Sequence, residues 1–142
     1  MNISARNQLQ GAVARIHTGA VNAEVLVDLP GGTQLAAIIT NASVQSLGLA
    51  PGKPVVALIK ASSVLLMTEG SGLKLSARNC LAGTVKTVQD GAVNAEVVLQ
   101  LAGGSEIVAI VTEGSVQSLG LKPGVAASAV IKASAVILGV PA

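Results

Sequence analysis

Gly19-Ala20-Val21-Asn22-Ala23-Glu24-Val25 returns residue for residue as Gly91-Ala92-Val93-Asn94-Ala95-Glu96-Val97, a shift of 91 − 19 = 72 positions. The same shift, with no gap, carries Ser4-Ala5-Arg6-Asn7 onto Ser76-Ala77-Arg78-Asn79 and Ile59-Lys60-Ala61-Ser62 onto Ile131-Lys132-Ala133-Ser134. It also carries Ser43-Val44-Gln45-Ser46-Leu47-Gly48-Leu49 onto Ser115-Val116-Gln117-Ser118-Leu119-Gly120-Leu121. An ungapped repeat over the whole chain means two equivalent domains, expected over residues 1–68 and 74–142 with a short Gly-rich linker at 69–73.

Inside each copy the pattern is that of strands. From Val21 to Leu29, Ala23, Val25, Val27 and Leu29 alternate with Glu24, Leu26 and Asp28, the period of a half-buried strand. Pro30-Gly31-Gly32 turns the chain, Gln34 to Thr40 reads as a second strand, and Ala42 to Gly48 as one short helical turn closed by Gly. After the turn at Pro51-Gly52, Val55 to Met67 reads as one last long strand, repeated as Ala127 to Gly139. About five strands and one short helix per domain suit an all-β, small Greek-key barrel of the OB type.

The 142 residues are 51% hydrophobic without one Phe, Tyr or Trp, so each core is built from Val, Ile, Leu and Ala. A domain of roughly 70 residues buries too little surface to be comfortable alone and is usually reinforced by disulfides, metal or association. The single Cys80 excludes an internal disulfide and a multi-cysteine metal site, which leaves association with further copies. No apolar run approaches the length of a membrane helix and no secretory signal opens the chain, so a cytoplasmic protein with no membrane partner is expected. A net charge of +2, with scattered basic residues and no aromatic platform for bases, argues against a nucleic-acid partner.

The repeat also acts as an internal control on chemistry, because a function common to both domains needs the same residues in both. His17 stands opposite Gln89 and Cys80 opposite Gln8, so neither belongs to a shared site. Glu24 and Glu96 are the only acid retained in both copies, too few for paired acid and base work, and no nucleophile has a base beside it. A non-enzyme without a cofactor or a direct protein-metal ligand set is expected. What both copies keep is a set of donors: Ser4, Arg6 and Asn7, then Thr40 and Ser43, then Lys60 and Ser62, each with its counterpart. Hydroxyls, N–H groups and one or two cations are the groups that hold a small dianion. Taken singly, Ser43 reads better as a helix cap and each lysine as a solvated strand residue. Their joint survival, while Asp28 has drifted to Gln100, is what favours a site.

These segments, in this order and twice over, resemble the Mop family of molybdate-binding domains, and coverage of both copies makes the chain similar to a tandem-Mop, two-domain molybdate/tungstate-binding protein. The resemblance implies OB-like (Mop/TOBE-type) barrels and a homotrimer whose oxyanion sites lie between neighbouring domains and subunits. It implies ligands from Ser4, Arg6, Thr40, Lys60, Ala61 and Ser62, and from Ser76, Arg78, Thr112, Lys132, Ala133 and Ser134. A second kind of oxyanion site near the threefold axis is assigned to Val21, Asn22, Val93 and Asn94. Family members that regulate transcription or drive uptake carry an additional module, for which two binding domains leave no room here, so storage and homeostasis of the anion is the expected role. The alternatives are an OB-type nucleic-acid binder and a purely structural oligomer. Asn41 against Glu113 and Ala42 against Gly114 break the repeat beside the helix start, and an acid there opposes an anion, so the two copies should differ in affinity if this turn contributes to binding.

Overall fold

The structure, a computed structural model, describes residues 2–142. Each copy opens on a twelve-residue strand, β1 (Asn7–Thr18) or β6 (Asn79–Asp90), that pairs on one side with the hairpin strand after it and on the other with a later strand. The hairpin strands are β2 (Asn22–Asp28) and β7 (Asn94–Leu101), followed by β3 (Gln34–Thr40) and β8 (Glu106–Thr112). The alternation read in the sequence holds: Ala23, Val25, Val27 and Leu29 are buried. Short helices α1 (Asn41–Ser46) and α2 (Glu113–Leu119) follow. Their cap is Thr40 or Thr112, whose Oγ1 accepts the N–H of Ser43 or Ser115 at 3.1 Å, so Ser43 lies inside the helix and is not its cap.

The expected long strand from Val55 to Met67 is two strands. β4 (Pro54–Ile59) stops at Lys60, a one-turn 3₁₀ helix spans Ala61–Ser63, and β5 (Leu65–Thr68) follows. The second copy repeats this with β9 (Ala126–Ile131), a 3₁₀ turn at Ala133–Ala135 and β10 (Ile137–Gly139). Ala has little strand preference and Ser favours turns, and the Ser63 N–H closes this one on the Lys60 carbonyl at 2.9 Å. The break redirects the chain. β5 pairs with β9 of the other copy and β10 with β4. The two five-stranded antiparallel sheets therefore run β10-β4-β1-β2-β3 and β5-β9-β6-β7-β8, each completed by the last strand of the opposite repeat. Repeat boundaries in sequence and sheet boundaries in space do not coincide, and buried residues of both halves form one apolar cluster.

A local pseudo-twofold relates the halves. Gly31 and its counterpart Gly103 meet backbone to backbone, so a Cβ on either would fall on the other's main chain, and Gly31 sits at φ +83°, where glycine is favoured. Two buried side chains complete the joint. The Asn79 Nδ2 donates to the Ala36 carbonyl (2.8 Å) while the Ala36 N–H donates to Asn79 Oδ1 (2.7 Å). Asn7 does the same on Val108, donating to its carbonyl at 2.8 Å and accepting its N–H at 2.7 Å, with a further donation to the Ile59 carbonyl at 3.2 Å. β3 and β8 are edge strands, and each asparagine amide pairs with their outward backbone as a neighbouring strand would.

Candidate functional site

The break after β4 places Lys60, Ala61 and Ser62 beside the segment that leads into β1, because Asn7 is paired with Ile59. Ser4, Arg6, Lys60, Ala61 and Ser62 line one cavity of about 440 Å³, whose apolar wall is Ile3, Leu58, Ile110 and Ile137. Five of the six expected first-copy residues thus come together, although they are far apart in the chain. Ala61 is buried, whereas Ser4, Arg6, Lys60 and Ser62 are exposed. Ile110 and Ile137 belong to the second repeat, so the cavity is built by both halves.

Thr40 is not among these residues. Its hydroxyl caps α1 and shares a 2.8 Å hydrogen bond with the Ser43 hydroxyl. Thr112 is engaged in the same way with Ser115, at 2.8 Å. Of the second-copy set, Lys132 precedes its 3₁₀ turn, Ala133 is buried and Ser134 is exposed, as in the first copy. The turn carrying Ala133 and Ser134 packs against β3 of the first half, and the turn carrying Ala61 and Ser62 against β8 of the second. Asn7, read in the sequence as one of the donors, is committed to the joint between the halves.

Both arginines of the Ser-x-Arg segments cross to the other half. Arg6 Nη1 donates to Glu96 Oε2 at 2.8 Å, and Arg78 makes the equivalent ion pair with Glu24. The hydrogen bond that Arg6 donates to Glu96, and then the carboxylate's charge, raise the Arg6 guanidinium further above its already high pKa. Sequence reasoning set Glu24 and Glu96 aside because they offered no acid-base pair; the missed signal was that they are the only acid kept in both copies, beside the only arginine so kept.

Val21, Asn22, Val93 and Asn94 lie at the hairpin ends. Val21 and Val93 are 71% and 72% exposed, unusual for apolar residues of this size, and their carbonyls accept the N–H of Asn41 and Glu113 at 2.9 Å. Asn22 lines a bay with His17, Thr18, Gly19, Glu24 and Arg78, and Asn94 lines its counterpart with Gln89, Asp90, Gly91 and Glu96. The two bays differ in charge. Where the first copy has Thr18 and Asn41, the second has Asp90 and Glu113. Partial desolvation, then the Asp90 carboxyl, push Glu113 above the usual carboxylate range, against the lowering effect of the N–H of Gly91. A raised carboxyl favours the fold below its ordinary pKa and loses that contribution as pH climbs through the raised value. Glu113→Gln, which keeps an acceptor for Gly91, should therefore melt higher than the wild type at pH 8, with the gap closing near pH 4. Equal melting temperatures at pH 8 would contradict this.

A family model described as the TOBE domain matches residues 3–66 and 75–138. The chain is 50% identical over 140 residues to a molybdenum transport protein ModE of Azotobacter vinelandii and 48% identical over 141 residues to a molybdenum-pterin-binding protein MopA of Rhodobacter capsulatus. Each match takes in 99% of this chain but 52% and 53% of the relative, so the chain spans about half the length of these two proteins. Among solved structures, a cytoplasmic molybdate-binding protein ModG with molybdate bound superposes with a TM-score of 0.95 at 62% identity, covering 99% of this chain and 100% of that one.

Proposed function

The chain belongs to the TOBE domain family, and from that premise we propose that it binds molybdate and tungstate whole, by hydrogen bonds and charge, and holds them in the cytoplasm for molybdenum storage and homeostasis. The observation that carries this reading is the meeting of Ser4, Arg6, Lys60 and Ser62 on one cavity, each having an identical counterpart in the second repeat. A dianion needs no more than this: two cations to offset its charge, and hydroxyl and N–H donors that suit tetrahedral oxygens. Bond-breaking chemistry finds no shared nucleophile or general base, so the protein acts as a binder.

The sites are completed in a homotrimer. Thr40 does not line the cavity of Ser4, Lys60 and Ser62, and a neighbouring subunit would bring it in, with Thr112 following by the repeat. Exposed apolar residues support such packing, because they too come as repeat pairs: Ile3 with Leu75, Val21 with Val93, and Leu65 with Ile137. Val21, Asn22, Val93 and Asn94 would form the second kind of site near the threefold axis. Selectivity against sulfate comes from size, since charge and shape are shared.

Isothermal titration of anion-free protein with molybdate, tungstate and sulfate tests the reading. Molybdate and tungstate should bind alike and sulfate at least about tenfold more weakly, a difference of about 1.4 kcal/mol. Sulfate competing equally would overturn the size argument, and no heat with any of the three would overturn the function.

A further inference from the structure

Only three charged positions are the same in both repeats: Arg6 with Arg78, Glu24 with Glu96, and Lys60 with Lys132. Every other charge has drifted, including Lys53 to Val125 and Asp28 to Gln100. The structure joins two of the three, pairing Arg6 with Glu96 and Arg78 with Glu24 across the halves. These pairs are exposed on the arginine side, and an ion pair in that setting contributes too little to folding to explain why it is kept when every other charge except Lys60 with Lys132 has drifted. Arg6 meanwhile faces two ways, lining the cavity of Ser4, Lys60 and Ser62 while its Nη1 is held by Glu96 at 2.8 Å.

Building on the oxyanion reading above, we propose that Glu96 and Glu24 set the affinity of the two oxyanion pockets by competing with the bound anion for Arg6 and Arg78. Without the glutamate, a pocket offers a dianion two positive charges. With it, the net offer is one, and the carboxylate stands a single hydrogen bond from a guanidinium that the anion also needs. Capture of the anion draws the guanidinium from the carboxylate, so filling a pocket at the end of one half loosens an ion pair to the other half. Asp90 lines the same bay as Glu96, and Glu113 meets that bay at the N–H of Gly91; both are acidic and add to the same opposition.

Glu96→Gln separates charge from shape, because the amide oxygen still accepts from Arg6 while the negative charge is gone. In calorimetric titrations with molybdate, Glu96→Gln should bind about tenfold more tightly at the pockets containing Arg6, leaving the Arg78 pockets unchanged. In an Arg6→Ala background the same substitution should give no such gain, since the competition runs through the guanidinium. A thermal midpoint close to wild type shows that the fold is intact. Unchanged or weaker binding in Glu96→Gln, or the same gain without Arg6, overturns the proposal while leaving the oxyanion reading in place. Wild-type protein that takes up no molybdate overturns both.

Discussion

Asn79→Ala is expected to cost the folded protein about 3 kcal/mol, the largest single effect on stability foreseen for this chain. The side chain is 2% exposed and makes two hydrogen bonds to one residue of the opposite half, donating to the Ala36 carbonyl and accepting its N–H. Each such bond adds about 1 kcal/mol net, but its loss also strands a buried backbone group, at about 1–3 kcal/mol apiece. Ala36 is itself 4% exposed, which limits the rescue that water can offer. Asn7→Ala should behave similarly, since Asn7 grips Val108 in the same way. Urea denaturation checks both: the midpoint should fall while the slope stays near the wild-type value. A loss below about 0.5 kcal/mol would mean that the asparagines do not hold the halves together.

Lys132→Ala should weaken molybdate binding at its own pocket by about 10- to 100-fold, the worth of one charge-assisted hydrogen bond of about 1.5–3 kcal/mol. Lys132 precedes a 3₁₀ turn that packs across the joint, yet its side chain is exposed, so the melting temperature should stay near the wild-type value. Lys60 supplies the first-copy pocket independently, and the titration should split into a weakened and an unaffected class. Lys60→Ala should produce the mirror result. One class with wild-type affinity in both variants would remove the lysines from the ligand set.

Much of this was legible because the periodicity is strong. β2 followed from Ala23, Val25, Val27 and Leu29, whose alternation has meaning only if one face is buried. The repeat alone groups Ser-x-Arg and Lys-Ala-Ser as one set. Four features were not legible. The apolar run from Val55 to Met67 contains no Gly or Pro, so only the weak strand preference of Ala61-Ser62-Ser63 marked the break. The exchange of β5 and β10 was hidden by the repeat itself, because strands so alike fit either sheet. Asn7 was misplaced for a related reason: what buries it is the edge of β8, about a hundred residues away. The partners of Arg6 and Arg78 likewise depend on contacts between halves that a single strand pattern does not encode.

Crystals grown with molybdate and measured at the molybdenum absorption edge would locate the bound anion by anomalous scattering alone. Peaks are expected within hydrogen-bonding reach of Ser4, Lys60 and Ser62, and again at Ser76, Lys132 and Ser134. Peaks that avoid both Lys-Ala-Ser segments would contradict the assignment of those segments as the oxyanion pockets.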